Sequence, residues 1–188
     1  TIFGLDAVRH SVAVKRAVGY LPGELPQYGG MRGSQVVAYL GAMRGAIDHA
    51  RVTEIAERLQ LDLGRRFREY SRGNKQKLGL VLAFMHRPRL LILDEPTGGL
   101  DPLNQQTFHQ MVGEVKAEGT TVFLSSHVLS EVEETCSRVG IIRDGRLVSD
   151  MTMDKVHELR FHEVIIEFAG DIPEAAVRAA AGVEAVAV

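Results

Sequence analysis

"LLILDEPTGGLD", residues 90–101, runs four apolar residues into two adjacent acids, Asp94 and Glu95, and then a proline. With Arg89 in front, the run reads as a strand over 89–94. Its lack of alternation predicts that both faces are covered, as in the middle of a parallel sheet. Asp101 and Pro102 then open a helix, since Asp suits the N-cap and Pro the first helical position. Phe108, Met111, Val112 and Val115 give that helix its core stripe, and Gly119 ends it. "TTVFLSS" (120–126) is a second apolar strand, with His127 at its end and another helix beginning near Val128. Strand–helix–strand order predicts an α/β fold, a mostly parallel sheet with helices on its faces. In such sheets function collects at the carboxyl ends of the strands. Asp94, Glu95 and His127 all lie at such ends.

Upstream, "TIFGLD" (1–6) reads as a short strand and "AVGYL" (17–21) as another, stopped by Pro22-Gly23. The stretch 22–33 is dense in Gly and Pro and reads as loop. Two helices follow, over about 34–44 and 48–59; the second carries Val52, Ile55, Ala56 and Leu59 at helical spacing. A basic, Gly-punctuated segment (64–77) leads into a helix over about 74–86, whose "LGLVLAFM" (78–85) reads as buried. Downstream, "GIIRDGRLV" (140–148) is a hairpin with Asp144-Gly145 in a type I′ turn. The tail reads as a helix near 152–159, a strand near 163–168, a helix near 173–181 and a last strand near 183–188.

Composition is that of an ordinary globular protein: 188 residues, 45% hydrophobic, 24% charged, with a net charge of −2. Nothing in that balance argues for bulk attraction to nucleic acid or anionic lipid. The single cysteine, Cys136, forms no internal disulfide, which points to a reducing compartment and a packed thiol. No apolar run approaches the roughly 20 residues that span a bilayer, and no stretch of the sequence reads as a signal peptide.

The candidate chemistry sits in three places. A carboxylate at the mouth of a buried strand, Asp94, suits a hard cation such as Mg²⁺. A second carboxylate one residue on, Glu95, can orient a water and accept its proton. His127, on a neighbouring strand end, can donate to a phosphate oxygen as charge shifts in a transition state. "YSRGNKQK" (70–77) opens a helix, and the N–H groups of a helix start attract anions. Gly73 permits close backbone approach and Ser71 adds a hydroxyl. Taken alone, each of these reads more readily as a solvated turn, a structural or solvent-facing histidine or a plain N-cap.

Together they resemble the nucleotide-binding domain of ATP-binding-cassette (ABC) transporters. "LLILDEPTGGLDP" (90–102) looks like that family's Walker B strand, catalytic Glu and D-loop in succession. "YSRGNKQK" looks like its signature motif, "LSSH" (124–127) like its switch histidine, and "GYLPGE" (19–24) like the start of its Q-loop. The match covers about residues 1–150, and the wording leans toward bacterial drug- and ABC-2-type exporters. The resemblance implies a P-loop NTPase-like core from 1–33 and 74–150, a helical and signature subdomain from 34–73, and a small α+β extension from 151–188. It implies ATP and Mg²⁺, with Asp94 on the metal, Glu95 polarising the attacking water and His127 on the γ-phosphate. Ser71, Arg72, Gly73 and Asn74 would meet ATP bound to a second, identical domain, and Asp101 would run along that dimer interface. A transmembrane permease would be the other partner, with no nucleic acid expected, and the chain would lie on the cytoplasmic face of the membrane.

Departures accompany the likeness. No G-x-x-x-x-G-K-S/T occurs, and "GGMRGS" (29–34) lacks the Lys and the preceding buried strand. The expectation is that the chain begins partway through the domain, with the phosphate loop upstream of Thr1. The Q-loop Gln position falls at Gly23, Arg72 and Asn74 differ from the common signature, and Gly98 stands where Ser is frequent. Two alternatives stay open. One is a non-catalytic module that supplies only a signature. The other is a soluble ABC-type ATPase acting on nucleic acid or ribosomes.

Overall fold

The computed structural model describes residues 1–45, 47–158 and 177–178. The apolar runs pair as expected: Val18–Leu21 (β1), Leu90–Asp94 (β2) and Thr121–Ser125 (β3) form a parallel sheet in the order β1–β2–β3. Register sets Tyr20, Ile92 and Phe123 side by side in one row, Leu21, Leu93 and Leu124 in the next, and Asp94 beside Ser125.

Seven helices accompany the strands among the described residues: Ser11–Ala17 (α1), Gly33–Ala42 (α2), His49–Arg58 (α3), Arg72–Phe84 (α4), Pro102–Ala117 (α5), Leu129–Thr135 (α6) and Met153–Glu158 (α7). Helix α4 is the central one. Leu78, Leu80, Val81, Leu82, Ala83 and Phe84 are all buried in the core with Leu21, Leu91 and Leu93. It lies so near β1 that a Cβ on Gly19 would fall 2.2 Å from the Ala83 carbonyl oxygen. That is well inside van der Waals contact, so glycine is required there. Helices α2 and α3 pack on α4. Arg58 of α3 also grips Glu114 of α5 through two hydrogen bonds of 2.6 and 2.8 Å.

Asp101 caps α5 by accepting from the Asn104 amide at 3.1 Å, with Pro102 at the first position, as the pattern predicted. Arg138–Arg143 (β4) and Arg146–Thr152 (β5) form the hairpin, and Asp144 and Gly145 both have positive φ, as a type I′ turn needs.

Three expectations are corrected. Residues 1–6 are not a strand: Ile2 and Leu5 pair across a tight turn in which Phe3 and Gly4 have φ of 53° and 78°, which folds the chain back before it can extend. Helix α1 follows where none was expected. The unbroken apolar run of β2 does not have two covered faces among the described residues. Leu91 and Leu93 are buried, but on the other side the Tyr20–Ile92–Phe123 row is open, Tyr20 and Phe123 being 54% and 67% exposed. The helices that close the core pack against the leucine side, so the run is apolar on both sides and buried on one.

The chain divides into two compact units, Thr1–Met153 and Asp154–Val188. The strands expected near 163–168 and 183–188 and nearly all of the helix near 173–181 lie outside the described residues. No described helix is long and apolar enough to cross a membrane.

Candidate functional site

Asp94, Glu95 and His127 come together at the carboxyl edge of the sheet. Ser125, across from Asp94 in β3, donates its hydroxyl to Asp94 Oδ1 at 2.6 Å. The Glu95 amide reaches back to the Ser125 carbonyl at 3.2 Å. The Glu95 backbone is held at φ 47°, a left-handed conformation that a non-glycine residue adopts only when its surroundings impose it. This twist turns the Glu95 side chain toward the loop after β3, where Oε2 lies 2.8 Å from His127 Nδ1. A carboxylate only accepts, so Nδ1 carries the proton in this contact. The carboxylate raises the imidazole's pKa above its ordinary 6.5, first by the hydrogen bond and then by charge, with a smaller contribution from Glu131. With Nδ1 committed to Glu95, Nε2 is the ring nitrogen left to meet solvent or a ligand.

The segment 70–74 behaves as a helix start. Ser71 is the N-cap of α4 and accepts from the Asn74 amide at 3.2 Å. Arg72, Gly73 and Asn74 form the first turn. Gly73 abuts the loop before α5: a Cβ there would fall 2.6 Å from the Gly99 carbonyl oxygen. The close approach required of Gly73 is thus already made within the chain. Lys77, one turn on, reaches Asp101 at 3.9 Å. The Asp101 carboxyl has its pKa lowered, chiefly by the Asn104 amide and side chain and less by Lys77.

No cluster of three or more His, Cys, Asp or Glu residues poised for a metal occurs among the described residues. Asp94 fits the lighter role of a single anchoring carboxylate. Its Oδ1 is held by Ser125, while Oδ2 faces the space that a Cβ on Gly23 would fill, 3.0 Å away. Mg²⁺ is commonly held by one or two carboxylates, with waters and substrate phosphates completing its shell.

Two sequence relatives place the chain. ABC transporter ATP-binding protein NatA of Bacillus subtilis is 30% identical over 164 residues, covering 84% of this chain and 67% of that protein. Bacitracin transport ATP-binding protein BcrA of Enterococcus faecalis is 37% identical over 134 residues, covering 70% of this chain and 44% of that protein. This chain is a member of the ABC transporter ATP-binding protein family. A solved structure described as the ATP binding subunit of an ABC transporter superposes with a TM-score of 0.76 at 27% identity, over 84% of this chain and 68% of that one. Residues 50–133, less than half of the chain, also match a family model described as "AAA domain, putative AbiEii toxin, Type IV TA system". The chain spans about half the length of the first curated relatives it matches.

This ABC ATP-binding chain has further site residues that the sequence reading missed. Gln76 of α4 is buried, and its Nε2 donates to the carbonyl oxygens of Glu95 and Pro96 at 3.0 and 2.9 Å. It pins the strained Glu95 turn from below. Its signal was a polar residue on the buried face of α4, one turn before Leu80. Thr97 lies two residues past Glu95 and Ser126 next to His127, and both donate to Glu131 of α6. Nothing local in the sequence marks that three-residue contact.

Proposed function

We propose that this chain is the catalytic part of an ABC exporter ATPase that hydrolyses MgATP and couples the reaction to a transmembrane permease. The observation that carries the proposal is the 2.8 Å contact between Glu95 and His127, beside Asp94, at the carboxyl edge of a parallel sheet. Family membership supports it.

In this reading, Glu95 uses its free Oε1 to accept a proton from a water, and that water's oxygen attacks the γ-phosphorus as the bond to ADP breaks. His127, bonded to Glu95 through Nδ1, donates from Nε2 to a γ-phosphate oxygen. Asp94 would hold Mg²⁺, which would supply neutralisation of phosphate charge. The phosphate loop comes from outside Thr1–Val188.

Residues 1–33 and 74–150 make the ATPase core, 34–73 the helical and signature subdomain and 151–188 an extension. Ser71, Arg72, Gly73 and Asn74 present amides and charge to ATP held by a second copy, with Asp101 along the interface. Two-fold pairing would satisfy both sites at once. The protein would sit at the cytoplasmic face of the membrane, held there by its permease.

The test uses the whole protein. Glu95→Gln should lower phosphate release by about a hundredfold or more while equilibrium binding of MgATP persists. An undiminished rate in this variant removes Glu95 from the role of base and the proposal with it.

A further inference from the structure

Glu131 lies in the first turn of α6, where a carboxylate would ordinarily serve its own helix start. It does not cap that helix, whose N-cap Val128 has no side-chain bond. Its two oxygens reach outward instead. Oε1 accepts from the Thr97 hydroxyl at 2.6 Å and Oε2 from the Ser126 hydroxyl at 2.9 Å. Thr97 is two residues past Glu95 and only 4% exposed; Ser126 immediately precedes His127. The Ser126 hydroxyl in turn accepts from the Val128 amide at 3.0 Å, so His127 is bracketed on both sides. Glu131 is itself steadied by Thr135, whose hydroxyl donates to its carbonyl.

We propose that Glu131 is a positioning residue that ties the turn carrying Glu95 to the loop carrying His127 and keeps their side chains in register. The two loops come from different strand ends, and the described cross-loop bonds are few. Apart from Glu131, they are the Ser125 hydroxyl to Asp94, the Glu95 amide to Ser125 and the Glu95–His127 contact itself. Hydrogen bonds to an ionised acceptor are about twice as strong as neutral ones, so a carboxylate is the apt bridge between two hydroxyls. The catalytic meaning of this bridge rests on the ATPase reading; its geometric content does not.

The experiment measures two things in the whole protein: the NMR titration of the His127 ring and the kcat and KM for phosphate release. Glu131→Ala should return the His127 midpoint toward its ordinary value and cut kcat by about tenfold, with KM for ATP changed less than about twofold. Glu131→Gln keeps an oxygen acceptor without the charge and should retain most of the midpoint shift and most of kcat. Thr97→Val should give a smaller change in the same direction, and combining it with Glu131→Ala should add nothing further. Thr97→Val and Glu131→Gln decide the matter if Glu131→Ala does not fold.

A Glu131→Ala or Thr97→Val protein with the wild-type midpoint and rate overturns the proposal. So does Glu131→Gln failing as badly as Glu131→Ala, since charge alone would then be at work. Wild-type protein that releases no phosphate sinks the ATPase reading, and the His127 titration still decides Glu131.

Discussion

At the carboxyl edge of the sheet His127 stands in the open beside Glu95, and its pKa is raised above the ordinary 6.5. At the amino edge His86 is half-buried, and its pKa is lowered to about 4, first by burial and then by Arg44. The Arg44 guanidinium contacts both nitrogens of that ring and donates to the Val18 carbonyl at 3.1 Å. The same side chain is thus exposed and pushed toward holding its second proton at one end of three short strands, and a neutral packing element at the other. The neighbours make the difference: a carboxylate in water against a guanidinium in a half-closed site.

The pH dependences run in opposite directions. His127 has a raised folded-state pKa, so its pairing stabilises the fold fully below pH 6.5 and is lost as pH rises through the raised value. His86 has a depressed one, so between pH 6.5 and about 4 the unfolded chain binds more protons and stability falls as pH falls.

The largest effect that would sharpen this contrast is His127→Ala in the whole protein. Phosphate release should drop by about a hundredfold, with the thermal midpoint nearly unchanged because the ring is exposed. A large loss of stability would mean that His127 is structural after all.

Next comes Gly19→Val at the other end. Its Cβ would strike the Ala83 carbonyl, and overpacking of this kind costs about 1–3 kcal/mol or more. Urea unfolding should show a lower midpoint, and an unchanged midpoint would mean that β1 and α4 are free to separate.

The smallest effect is expected from His86→Gln. It should flatten the decline in the urea midpoint between pH 6.5 and 4 without changing the midpoint greatly at pH 7. A decline as steep as in the wild type would assign acid sensitivity elsewhere and dissolve the contrast between the two rings.

The parts of the fold that were legible in the sequence share one property: pattern and terminus coincide. Asp94, Glu95 and His127 end long apolar runs, and Asp101-Pro102 is a cap signal that needs no tertiary help. The strands at 18–21, 90–94 and 121–125 followed from the same logic. What escaped was set by distance in sequence or by backbone geometry. Glu131 meets Thr97 across 34 residues and Gln76 meets Glu95 across 19, so no window on the sequence contains both partners. The turn at Ile2–Leu5 looked like a strand because Ile, Phe and Leu favour one, yet the left-handed Phe3 and Gly4 override that preference. The run in β2 predicted two covered faces, and among the described residues only the leucine side is covered.

The Tyr20–Ile92–Phe123 row bears on how the polypeptide behaves at the bench. Neighbouring strands lie about 4.8 Å apart, so two exposed aromatic rings line up with the half-buried Ile92 between them as an apolar ribbon. Concentrated samples of Thr1–Val188 alone should cloud with rising salt, and Phe123→Lys should keep them clear.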